Sequence, residues 1–127
     1  MKKTLIILIA IVMALSGCAK SKNDNIQQGD VYEIYSVKEN TLSAAEYVTT
    51  TKDSDALLLE LLTQLGLVKD SDNAKKIIVD SQSINNQVAY LSFNKEYLMM
   101  DNVTEVLSRA AIVRTITQIP EISYVYF

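Results

Sequence analysis

Val88-Ala89-Tyr90-Leu91-Ser92-Phe93 is the stretch that decides the fold. Ala89, Leu91 and Phe93 fall on one face of an extended chain and the residues between them on the other. Just before it, Asn85-Asn86 offers side chains that tolerate the left-handed backbone a tight hairpin needs. Residues 76–81 then read as the first strand of that hairpin and 87–93 as the second.

Downstream, Asn102-Val103-Thr104-Glu105 reads as a capping box, with Asn102 bonding the amide three residues on and Glu105 reaching back. The helix it opens is expected to run to about Gln118. Pro120 ends it, because the proline ring disfavours helix at the preceding residue. Val103, Val106, Leu107, Ala110 and Val113 form its main apolar stripe, and residues 121–127 read as a final strand. Ile112, Ile116 and Ile119 lie off that stripe, as does Leu59 on the helix described next. Two readings stay open for them. They mark a partner-binding face, with Arg114 between Ile112 and Ile116, or they pack a core covered more widely than a helical wheel suggests. Single apolar surface residues are ordinary, which favours the core.

Upstream, Val31 to Val37 is rich in β-branched and aromatic residues and reads as a strand, followed by a turn at Lys38-Glu39-Asn40. Residues 44–51 are a second, weaker extended stretch. Asp53 or Ser54 caps a helix to about Leu65, with Leu58, Leu61, Leu62 and Leu65 on one face and Leu57 widening it. Gly66 stands where a glycine ends a helix, and residues 70–73 form a polar loop. The order β, β, α, β, β, α, β gives an α+β class: a small sandwich, with two helices packed on one face of a mixed sheet.

The amino terminus carries a different message. Met1-Lys2-Lys3 precedes an uncharged apolar run from Leu5 to Leu15, the layout of a secretory signal peptide. The run is shorter than the roughly 20 residues a membrane-spanning helix needs. It stops at Leu15-Ser16-Gly17-Cys18, which resembles the bacterial lipobox, so Cys18 is expected to carry a diacylglyceryl thioether. Cys18 is the single cysteine, so no intramolecular disulfide is possible and lipidation accounts for the lone thiol. Two acyl chains, at about 0.8 kcal/mol per buried CH₂, anchor stably. The expected division is a signal peptide over 1–17, a lipidated cysteine and polar tether over 18–30, and a folded domain over 31–127. A coil of that tether's length reaches about 20 Å, which keeps the domain near the outer face of the cell membrane.

Composition then removes whole function classes. The chain has 12 basic and 15 acidic residues; loss of Lys2 and Lys3 with the signal leaves 10 against 15, net −5. That argues against nucleic acid and against a polybasic hold on anionic lipid. With no histidine and no phosphate-cradling glycine loop, neither an imidazole base nor a cofactor motif is present. Ser92-Phe93-Asn94-Lys95 matches the S-x-x-K pattern by letters, but its serine closes a strand instead of opening a helix. Asp70-Ser71-Asp72-Asn73 begins like a calcium loop and lacks the glycine and glutamate that follow in one. Asn102-Val103-Thr104 spells a glycosylation sequon, and the capping role of Asn102 is preferred. No catalytic residue, metal site or cofactor is expected.

Residues 88–98 resemble the V-A-x-V-D-L-S-K-E-F strand and turn of the sporulation and spore-germination domain, the GerMN family. Residues 111–122 resemble its I-V-x-T-L-T-x-F-P-G-V stretch, and the helix from Ala56 to Leu65 falls where the family has A-L-x-x-L-L-x-G. The resemblance spans residues 31–127. It departs in lacking the usual Pro-Gly-Thr around 72–75, in Glu121 where a glycine follows the proline, and in stopping at Phe127 where relatives continue. It implies a lipoprotein or membrane-tethered envelope protein of Gram-positive bacteria. It also implies no established catalytic site, and a fold similar to ring-building modules of envelope-spanning complexes. An envelope protein partner or self-association is therefore the expected mode of action. The rival is a peptidoglycan- or small-ligand-binding lipoprotein, with tyrosines 32, 35, 47, 90, 97, 124 and 126 supplying stacking surface.

Overall fold

The computed structural model describes residues 28–70 and 76–127. β1 (Asp30–Lys38) and β2 (Thr41–Thr49) pair antiparallel from Asp30 opposite Thr49 to Lys38 opposite Thr41. The two residues between them, Glu39 and Asn40, take φ of 48° and 59°. Both are left-handed, and such a turn matches the twist of the strands it joins. β1 begins one residue earlier than expected. Asp30 is already in the ladder, and its carboxylate meets Lys52 Nζ at 2.6 Å. Gly29 precedes it at a place where an added Cβ would lie 2.7 Å from the Thr49 carbonyl oxygen.

α1 (Ser54–Gln64) is capped by Asp53, whose carboxylate accepts the Ala56 N–H at 2.9 Å. Its buried side is Leu57, Leu58, Leu61 and Leu62, with Leu65 half-buried beyond it, while Leu59 is 43% exposed. Gly66 follows at φ 73°, the conformation a C′ residue needs and one that costs a side-chain-bearing residue more.

β3 (Val79–Asn85) and β4 (Val88–Phe93) form the expected hairpin around Asn86 and Gln87, at φ 50° and 64°. The turn is thus one residue later than expected, and β3 starts at Val79 instead of 76. A register shift between Val79 and Ser81 bends its start. A 3-10 turn, Lys95–Met99, leads to α2 (Asn102–Ile116), and β5 (Tyr124–Tyr126) returns parallel to β4. The class is α+β, with a mixed sheet ordered β3-β4-β5. Among the described residues the five strands are divided over two sheets, and β1 and β2 pair with each other.

Two readings of α2 are corrected. Its N-cap is Asp101, not Asn102: Asp101 Oδ1 accepts from Val103 N at 3.1 Å and Thr104 N at 3.0 Å, and Oδ2 from the Thr104 hydroxyl at 2.6 Å. A carboxylate with three donors in reach outcompetes a neutral amide one residue on. The helix is also turned about its axis relative to the expected stripe. Ala111, Ile112, Thr115 and Ile116 are buried, whereas Val103 and Val106 are 57% and 67% exposed. The larger isoleucines take the core, each contributing about 1.5–3 kcal/mol by burial. They join Leu58, Leu61 and Leu62 of α1, Ala89 and Leu91 of β4, and Ile119 and Ile122 beyond the helix.

Candidate binding surfaces

Cys18 lies outside the described residues, as do residues 71–73 of the polar loop. The other candidates are placed. Ile112 and Ile116 are 4% and 0% exposed, so the partner-binding face proposed for them is corrected to core. Arg114 points the other way. Its guanidinium sits 4.4 Å from the centroid of the Tyr35 ring, a cation–π contact at the rim of the helix. The Tyr35 hydroxyl in turn donates to the Glu33 carboxylate, which holds the Tyr35 pKa above its ordinary value. Arg114 is thus committed to its own sheet.

The seven tyrosines are dispersed. Tyr32 is buried in the core, Tyr35 lies under Arg114, and Tyr47 donates to Glu60 Oε1 at 2.5 Å. Tyr124 is exposed on β5. Tyr90, Tyr97 and Tyr126 line one cleft of about 490 Å³ beside the end of β4, with the rings of Tyr90 and Tyr126 5.6 Å apart. Phe93 anchors this cleft. Its ring lies 4.7 Å from that of Tyr97 and stacks at 6.0 Å and 8° on that of Phe127. Arg109 closes one side, 5.0 Å from the Phe127 centroid and 5.7 Å from the Tyr97 centroid. Its Nε donates to the Tyr97 hydroxyl at 2.5 Å and its Nη2 pairs with Glu105 at 2.8 Å, one helical turn away. The Tyr97 bond and the Glu105 charge hold the Arg109 pKa above its already high value. Lys95 lines the same cleft. Sequence reasoning missed Arg109. Its signal was the (i, i+4) spacing from Glu105 on the outward face of a helix.

A second feature lies in the chain between 98 and 106. Leu98 and Met99 are 83% and 81% exposed, and Val103 and Val106 follow on the first turns of α2. Val103, Val106 and Leu107 line an open depression with Asn40, at the turn of the β1–β2 hairpin. Ser92, the serine of the S-x-x-K match, is exposed on β4 with Lys95 in the following 3-10 turn. Among the described residues no three acidic or thiol side chains gather as a metal site, and no helix is long and apolar enough to cross a membrane.

The family model described as Germane, sporulation and spore germination, matches residues 25–127. A crystal structure of a candidate lipoprotein from Clostridium perfringens is similar to this chain, with 22% identity and a TM-score of 0.42. The likeness covers 80% of this chain and 75% of that one. Among curated proteins none is significantly similar.

Proposed function

We propose, from the premise that this chain belongs to the Germane family of sporulation and spore germination proteins, that it is a lipid-anchored, non-catalytic assembly module at the outer face of the cell membrane. The observation that carries the reading is the apolar ledge of Val103, Val106 and Leu107 beside Asn40, whose two valines are 57% and 67% exposed. Apolar side chains gathered at a surface are what protein interfaces bury at their centres. The anchor rests on the charged start, the short apolar run and the box ending at Cys18.

The direction of the ledge favours a protein over the lipid surface as its occupant. The tether joins the domain at Asp30, and the ledge lies against Asn40, beyond the far end of β1. A strand of nine residues spans about 30 Å, so the ledge faces away from the point of attachment. The partner is an envelope protein or a second copy of this chain.

The test is photo-crosslinking in living cells from a probe at Val106. A crosslinked product that disappears on Val103→Asp, with the domain still folded, supports the reading. Undiminished crosslinks in that variant, or none from the parent, remove the ledge from function. The wall-binding alternative draws on the three tyrosines of the cleft, and retention of the chain on purified sacculi is the observation that would favour it.

A further inference from the structure

The β1–β2 ribbon treats its two edges differently. On the outer side of β1 the Glu33 and Tyr35 N–H groups are taken by Gln118 Oε1 at 2.9 Å and Thr115 Oγ1 at 3.0 Å. Glu33 lies opposite Glu46, and Tyr35 opposite Ala44. Residues directly opposite in an antiparallel pair turn their backbone groups either both inward or both outward. Glu46 and Ala44 therefore direct N–H and C=O away from β1. By alternation along an unshifted register, so do Leu42 and Val48. Among the described residues no strand or side chain hydrogen-bonds these four.

An open edge of this kind is normally blunted by a lysine, a proline, a bulge or shortness. β3 follows that rule: a register shift bends its start, and the Val79 N–H is spent on the Leu67 carbonyl at 2.8 Å. β2 does not. It runs nine residues, Thr-Leu-Ser-Ala-Ala-Glu-Tyr-Val-Thr, with no lysine, no proline and no shift against β1. Ala44, Ala45 and Glu46 at its middle are exposed, and Val48 is 60% exposed.

We propose that β2 pairs antiparallel with β2 of a second copy of this chain, about a two-fold axis through Ala45. The strand is self-complementary in that register. Leu42 falls opposite Val48 and Ala44 opposite Glu46, each twice, which joins the outward backbone groups in four pairs and about eight hydrogen bonds. Two apolar pairs form, and neither glutamate meets its counterpart. Ala45 meets Ala45 at a non-hydrogen-bonded site, where strands come closest and a small side chain fits. Sliding one way sets Glu46 against Glu46, which is destabilising. Sliding the other way sets Glu46 against Leu42 and carries Val48 past the strand end, opposite Asn40. The inference names a copy of this chain as one partner and stands without the ledge, because the pairing uses no residue of α2.

Disulfide trapping of the full chain in membranes tests it, with copper phenanthroline as oxidant and the parent chain as baseline. Ala45→Cys places the two new thiols on the axis, with Cα atoms about 4.5 Å apart, a distance a disulfide spans. Glu46→Cys places them on a diagonal about 7–8 Å apart, which it does not. We expect at least about 10-fold more covalent dimer from Ala45→Cys than from Glu46→Cys. Adding Ala44→Pro removes an outward N–H, leaves the β1 ladder intact, and should cut the Ala45→Cys dimer about 10-fold. Equal dimer from the two cysteine variants marks random collision and overturns the proposal. So does an Ala45→Cys chain that reacts with maleimide yet gives no dimer, or that is trapped on a different protein instead. Dimer undiminished by Ala44→Pro in a folded chain overturns it as well, and the two cysteine variants decide without that third one. A null crosslinking result at Val106 would sink the ledge and leave these outcomes unchanged.

Discussion

The side-chain amide of Gln118 exchanges two hydrogen bonds with the backbone of Glu33: Oε1 accepts the Glu33 N–H at 2.9 Å and Nε2 donates to the Glu33 carbonyl at 2.8 Å. One turn earlier, Thr115 Oγ1 accepts the Tyr35 N–H at 3.0 Å. Glu33 and Tyr35 are two of the residues of β1 whose backbone groups face away from β2, so the end of α2 stands there in the place of a third strand. This explains why a two-stranded ribbon, marginal alone, is held, and why the middle of its outer edge is already occupied.

Thr115 is fully buried, so Thr115→Val is the clean test of that seam. The swap keeps shape and removes the acceptor, leaving the Tyr35 N–H without its partner. We expect a loss of about 1–3 kcal/mol in a urea titration. A change within about 0.5 kcal/mol would mean that water replaces the hydroxyl freely.

On α1, Leu61 is fully buried and Leu59 is 43% exposed. Leu61→Ala should cost about 2–5 kcal/mol, a large share of the stability of so small a domain. Leu59→Ala should cost far less. Equal losses would show that the helix presents a different face to the core.

The contrast between the two helices marks what was legible in the sequence. In α1 four leucines, 57, 58, 61 and 62, share one side while Leu59, Asp55 and Thr63 are exposed, so period fixes the face. In α2 the apolar residues fall on more than one side, interleaved with polar ones, and two stripes compete. The one chosen by spacing, through Val103, Val106 and Val113, is less buried than the one through Ile112 and Ile116. The deciding residue is Thr115, a polar group that reads as surface and is buried because β1 needs its hydroxyl. Hairpin turns were readable to within a residue because asparagine adopts the left-handed backbone at low cost. The cleft was not readable. It gathers side chains of β4, the 3-10 turn, α2 and the segment after Ser123 through a parallel pairing across a long crossover, which leaves no local signal.

The corrected face makes a sharp pair of variants. Ile112→Asp places a charge in the core cluster to which Ile112 belongs and should unfold the domain. Val106→Asp places the same charge in solvent and should shift stability by no more than about 0.5 kcal/mol. Circular dichroism melts of the two decide it. A folded Ile112→Asp would return that residue to the surface.

Cys18→Ala should abolish incorporation of labelled fatty acid and leave the precursor unprocessed. Continued labelling, or membrane partitioning unchanged after signal removal, would show that the box at 15–18 is not the anchor. The folded domain carries no other thiol to confuse the assay.

Acid and base should each act through Glu60. Its carboxylate accepts from Thr51, Tyr47 and Thr49, which holds its pKa below the ordinary glutamate value. A depressed folded pKa adds stability that is present above the ordinary carboxylate range, near pH 4, and is lost as pH falls through the folded value. Tyr47, the donor of one of those bonds, has its pKa raised by the same contact. A raised folded pKa adds stability that is present below the ordinary tyrosine value, near pH 10, and is lost as pH climbs through the folded one. Tyr47→Phe removes the shared hydrogen bond. It should flatten the alkaline limb of a stability–pH profile and weaken the acid limb, because Glu60 keeps its threonine donors. Glu60→Gln should instead remove Glu60's part of the acid limb. Urea midpoints measured from pH 3 to 11 separate the two variants, and an alkaline limb that survives Tyr47→Phe unchanged would assign it to Tyr32 or Tyr35, whose values are also raised.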